Sequence, residues 1–134
     1  LLLNLGNIVG AALGDAPRKD IVARLVAEGE AVLTAAGIGW ADTGLDDPRR
    51  AQFMTHQPVE GAVRIGSSTA QSFARGAGSV ETDYLNGEIV LLGRQFGVPT
   101  PANAWFADLA RRMLRDGMPP GAVSRDEVIA ALGS

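Results

Sequence analysis

Two carboxamides, Asn4 and Asn7, stand three residues apart in an otherwise apolar opening segment. On a helix that spacing places them on one face. Asn is a poor helix former. A buried amide costs about 1–3 kcal/mol unless it is hydrogen-bonded. Such a pair either ties its segment to a neighbouring loop or lines a site for a polar ligand. A second concentration of polar groups is Gly66-Ser67-Ser68-Thr69-Ala70-Gln71. Its hydroxyls and amide exceed what capping a helix requires. The plain alternative is that Ser and Thr bond back to their own helix carbonyls.

Other chemistry-bearing side chains read as structure. His56 is the sole histidine and there is no cysteine, so neither a histidine–thiolate metal site nor a disulfide framework is expected. A Ser-His-Asp triad would have to lean on that one loop histidine. Gly76 and Gly78 lie between helical patterns and follow no strand, so they are turn glycines and not a phosphate fingerprint. Asp46-Asp47 marks a turn, and Asp126-Glu127 marks a helix start. Arg111, Arg112 and Arg115 fall late in a helix, where cations suit the dipole, and read as a solvated face.

The elements that must position these groups are helical. The chain has 134 residues with 46% apolar and 5% aromatic content, enough for one domain with a core of Leu, Val, Ile and Ala. Leu1 to Gly14 is apolar on nearly all sides, as a central helix would be. It opens without an initiator Met and reads as the cut end of a buried helix, with more protein expected upstream. It lacks the basic flank of a signal peptide and is too short to span a bilayer. Ile21, Leu25, Ala31 or Val32, and Ala35 recur at helical spacing within a helix from Arg18 to Ala36, with Val22, Val26 and Leu33 widening the stripe. A short turn near Arg49 to Met54 and a helix from Val59 to Arg75 follow.

Ser79 is a candidate N-cap for a helix over Val80 to Phe96 with Leu85, Ile89, Leu92 and Phe96 as its stripe. Pro99-Thr100-Pro101 reads as a rigid link. The next helix, Ala102 to Asp116, carries Trp105, Leu109, Arg112 and Met113 at helical spacing. Ser124-Arg125-Asp126-Glu127 is a capping box opening a last helix to about Leu132. No strand signal survives. The expected fold is all-α with five to six helices. A net charge of −3 argues against a nucleic-acid partner. No membrane partner is expected, and the cytoplasm is the expected location.

The two polar segments, with Glu81-Thr82-Asp83-Tyr84-Leu85-Asn86-Gly87 and Gly97-Val98-Pro99-Thr100-Pro101-Ala102-Asn103, resemble the C-terminal domain of the ketopantoate reductase family. The resemblance covers nearly the whole chain. The Ser-x-x-Gln segment at Ser68 to Gln71 and the runs at 81–87 and 97–103 carry it by their order and spacing. It implies a helical domain joined to an N-terminal Rossmann domain that holds NADP, with the active site in the cleft between them. It implies hydride transfer from NADPH to the ketone of a 2-keto acid, giving pantoate from 2-dehydropantoate in pantothenate biosynthesis.

By the same resemblance, residues take roles. The family's catalytic lysine would stand four residues before Asn4, at the position just preceding Leu1. It would donate a proton to the developing alkoxide. Asn4 would orient that lysine and bond the substrate. Ser68 matches the serine that binds the substrate carboxylate. Glu81 matches the glutamate that faces the cofactor and helps hold the lysine, so it counts as both catalytic and cofactor-binding. Asn7 is a further substrate-binding candidate. Three departures stand out. The family's second asparagine, four residues after the first, is here Ile8, with Asn7 one residue earlier. The asparagine three before the serine is Ile65. The stretch from Gln71 to Glu81 is one residue longer. They leave room for a paralogue acting on another 2-keto acid. A helical interaction or dimerisation module without catalysis is the alternative from a different class. A domain parted from its neighbour would expose an apolar wall and could self-associate.

Overall fold

The computed structural model describes residues 1–40 and 82–133, with side chains described from Leu85 onward in the second stretch. The expected turn at 49–54, the expected helix at 59–75, and Ser79 with its cap all lie outside the described residues. So do His56, Ser68 and Glu81.

Among the described residues there are five α-helices, one 3-10 turn and no strand. The turn covers Leu2–Asn4. Helix α1 is Asn7–Leu13, α2 is Lys19–Ala35, α3 is Thr82–Phe96, α4 is Pro101–Asp116 and α5 is Arg125–Leu132. The all-α expectation holds, and four of the helices fall within two residues of their expected bounds. The opening segment is the correction. It is not one helix from Leu1 to Gly14, because it breaks at Leu5-Gly6. Glycine favours a break, and this one lies tight against α2. A Cβ on Gly6 would come within 2.9 Å of Val22 Cγ1.

Apolar spacing on α2 produces the buried row Ile21, Leu25, Gly29, Val32 and Leu33. Helix α4 buries Phe106, Leu109, Ala110 and Met113. Of the stripe expected on α4, Leu109 and Met113 are buried and two members are not. Trp105 and Arg112 lie at its edge, half-buried, with the Arg112 guanidinium carbon 5.7 Å from the centre of the Trp105 ring. Phe106 is fully buried and meets Trp105 edge to face, with ring centres 4.9 Å apart. The apolar rows meet in one core with Leu5, Ile8 and Val9 of the opening segment, Ile89 of α3 and Val128 of α5. Most of these are aliphatic, as the scarcity of aromatics requires.

Helix ends are closed by the chain itself. The last helical carbonyls have no partner within a helix. On α1, Gly10 O accepts from Gly14 N, Ala11 O from Gly121 N at 2.8 Å, Ala12 O from Val123 N at 3.1 Å, and Leu13 O from Ala16 N. The loop before α5 therefore finishes α1. Helices α2, α3 and α4 close alike, with an amide just past the helix (three residues past α2, two past α3 and α4) bonding back five: Ile38 to Leu33, Val98 to Gly93 and Met118 to Met113. Between them Gly37, Gly97 and Gly117 take φ of 69°, 71° and 62°, the left-handed step this closure needs. Pro101 opens α4 at its first position and does not belong to the preceding link, as suits a residue with no N–H to satisfy. On α5 the expected cap forms, since Ser124 Oγ accepts from Glu127 N at 3.2 Å.

Helix α5 is tied to α2 at the surface. Arg125 Nη2 lies 2.7 Å from Asp20 Oδ2, and Arg125 Nη1 donates to Pro17 O at 2.8 Å. The hydrogen bond from Arg125 holds the Asp20 carboxyl below its ordinary range. A carboxylate depressed in the folded state adds stability at neutral pH, and that contribution fades as pH falls through the lowered value. Arg125→Ala is expected to raise Asp20 back toward the usual aspartate value. A carbon-detected NMR titration of Asp20 in both proteins reads this directly, and an unmoved titration would show that the pair does not persist in solution.

Candidate functional site

Asn4 closes the 3-10 turn, its backbone N–H donating to Leu1 O at 3.0 Å. It is exposed, and its carboxamide makes no hydrogen bond to another described residue. Asn7 is the first residue of α1 and is half-buried. The two amides therefore do not share one continuous helix, because the break at Leu5-Gly6 lies between them. Asn4 needs no partner among the described residues, since water reaches it.

The residue after Asn4 is the anchor. Leu5 is fully buried. Its carbonyl accepts from Asn86 Nδ2 of α3 at 3.3 Å. Asn86 is 1% exposed, so its amide demands partners. The second is Asn103 Oδ1 at 2.9 Å. Asn103 is fully buried at the third position of α4, and its Nδ2 donates to Leu25 O at 3.1 Å and to Glu28 Oε2 at 2.8 Å. Glu28, half-buried on α2, also accepts the backbone N–H groups of Ala102 and Asn103 at 2.9 Å each, on its two oxygens. A carboxylate thus caps α4 from another helix, where the dipole favours negative charge. The side chain of Thr100, the residue at the cap position, plays no part.

Each hydrogen of both carboxamides is engaged, which sets the orientation of both amides. The arrangement performs no acid–base step. It fixes three helices against the turn that presents Asn4. Helix α3 begins at Thr82, four residues or about 6 Å along its axis before Asn86.

Of the residues expected at a site, Asn4 and Asn7 lie on neighbouring elements, and Ser68 and Glu81 lie outside the described residues. The sequence reading missed the part played by Glu28, Asn86 and Asn103. A signal existed: Asn86 and Asn103 interrupt apolar stripes, and Glu28 falls one turn from Leu25 on the buried row of α2. Ile8, at the position where the resemblance leads one to expect a second asparagine, is fully buried in the core. The late arginines of α4 are occupied, with Arg111 Nη1 2.8 Å from Asp108 and Arg115 Nε 2.8 Å from Asp116. Among the described residues no three His, Cys, Asp or Glu side chains cluster as a metal site would require. No described helix is long and apolar enough to cross a membrane.

Comparison with known proteins agrees with this architecture. Residues 2–114 match the family described as ketopantoate reductase PanE/ApbA C terminal. A 2-dehydropantoate 2-reductase from Pyrobaculum aerophilum is 39% identical over 64 residues, covering 43% of this chain and 23% of that protein. A crystal structure of a PanE/ApbA family ketopantoate reductase from Ralstonia eutropha JMP134 superposes with a TM-score of 0.62 and 31% identity. That match covers 87% of this chain and 39% of the other. The chain thus spans well under half the length of these relatives.

Proposed function

We propose, from the premise that this chain belongs to the ketopantoate reductase family as its C-terminal domain, that it forms the substrate side of an NADP-dependent 2-keto acid reductase. The reaction proposed is reduction of 2-dehydropantoate to pantoate. The observation that carries it is the exposed Asn4 carboxamide on a turn whose Leu5 carbonyl is held by Asn86 of α3.

Bound NADPH would supply hydride to the ketone carbon. Membership in the family supports a dinucleotide held by an N-terminal partner domain of the full protein. Glu81 is the residue of this chain proposed to face it. As hydride arrives, charge develops on the ketone oxygen, and a donor aimed there stabilises it more than the ground state. Asn4 is placed in that role, beside the lysine proposed to precede Leu1, which gives the proton that completes the hydroxyl. Ser68 is proposed to bind the substrate carboxylate, and Asn7 to line the same wall.

The test is NADPH oxidation by the intact protein with 2-dehydropantoate and with a panel of other 2-keto acids. One NADPH consumed per hydroxy acid formed is expected. The buried Ile8, in place of an amide, makes the panel necessary. Activity on another keto acid alone would identify a paralogue, and a folded protein inert toward all of them would favour a non-catalytic helical module. Ser68→Ala is expected to raise KM more than it lowers kcat, as loss of uniform binding does. The reverse pattern would place the serine in the transition state.

A further inference from the structure

We infer that Asn86 is a positioning residue for Asn4, acting through the Leu5 carbonyl. The inference rests on the role proposed above for Asn4. Leu5 lies at the break between the 3-10 turn and α1, where a regular helix no longer dictates the backbone. There the turn is held from two sides. From α3, Asn86 donates one carboxamide hydrogen to Leu5 O and the other to Asn103 Oδ1. Asn103 cannot rotate to follow, because its own amide is engaged by Leu25 O and Glu28, and Glu28 is held by the first amides of α4. From α2, Gly29 leaves space for the side chains that flank Asn4. A Cβ there would lie 2.6 Å from Leu2 Cδ2 and 3.0 Å from Leu5 Cδ1.

The turn is therefore clamped between a glycine floor and a directional chain of buried amides. A donor that stabilises a developing charge has to be held within about 0.5 Å of its productive place. A displacement of about 1 Å can cost on the order of 100-fold in rate. Asn86 itself is buried and does not reach a ligand, so its effect has to pass through Asn4.

A double-variant cycle in the intact protein tests this. Asn86→Ser keeps one hydroxyl donor in place of two amide hydrogens. It is expected to lower kcat about tenfold in the wild-type background and less than twofold when Asn4→Ala is already present, since residues acting as a unit are not additive. A tenfold loss in both backgrounds would show general damage and overturn the inference. So would an unchanged kcat.

A second arm needs no turnover. Backbone hydrogen exchange at Asn4 and Leu5 is expected to speed at least tenfold in Asn86→Ser relative to amides in the middle of α2. Unchanged local exchange overturns the clamp whatever the kinetics show. Should Asn86→Ser fail to fold, Gly29→Ala presses the same turn from the α2 side and enters both arms with the same expectations. An inactive wild-type protein with accelerated exchange in the variant would count against the proposed reaction and in favour of the clamp.

Discussion

Glu28→Ala is expected to destabilise the domain by about 3 kcal/mol. The substitution removes one side chain and strands three donors: the Ala102 and Asn103 backbone amides and the Asn103 carboxamide. A hydrogen bond to a charged group contributes roughly 1.5–3 kcal/mol, but the three share one carboxylate and are not additive. Glu28 is half-buried, so water recovers part of the loss. The damage then spreads. Asn103 is fully buried, and an unpaired amide there loosens its grip on Asn86. Glu28→Gln presents an NH2 group to one of the donors and is expected to cost about half as much. Urea unfolding followed by circular dichroism reads both, as a lower midpoint with little change in slope. A Glu28→Ala protein as stable as wild type would mean that Thr100 or solvent caps α4 instead.

Asn4→Ala is expected to behave in the opposite way. Turnover should fall about 100-fold, the scale seen when one preorganised donor to a developing oxyanion is removed. Stability should stay within about 0.5 kcal/mol, because Asn4 is exposed and its side chain has no hydrogen-bond partner among the described residues. The pairing of these results is informative. A residue that stabilises the fold loses both properties together, whereas a residue held ready for a ligand loses one. Steady-state kinetics and urea unfolding on the same preparation measure the two. A large stability loss with Asn4→Ala would make it a structural amide and remove it from the site.

Local signals in the sequence carried most of the fold. Ser124 three residues before Glu127, Gly14 and Gly117 after apolar rows, and the spacing of Ile21, Leu25 and Val32 each encode a helix end or face within one turn of chain. Such features depend on near neighbours and survive without knowledge of the tertiary structure. The break at Leu5-Gly6 was not legible in that way. It depends on how closely Gly6 meets Val22 and on a bond from Asn86, eighty-one residues away. Asn4 was found because an amide in an apolar run is conspicuous, yet its exposure comes from the break and not from the helix that its spacing suggested.

The network of Glu28, Asn86 and Asn103 shows the same limit. Two of its members stand in the segments that carried the family resemblance, where they could be taken for ligand-binding groups. Their burial assigns them to the frame. Only the fold brings Glu28 to the start of a helix seventy-four residues further on. A cap supplied from another element leaves no trace in local spacing, whereas the Ser124 cap does.

The role of Asn4 is tested most directly by a crystal structure of the intact protein with NADP and the hydroxy acid product. The product's hydroxyl oxygen is expected about 3 Å from Asn4 Nδ2, a normal hydrogen-bond distance. The carboxylate of Glu81 is expected on the same side of the domain. A product bound elsewhere, with Asn4 facing open solvent on the far side from Glu81, would contradict it.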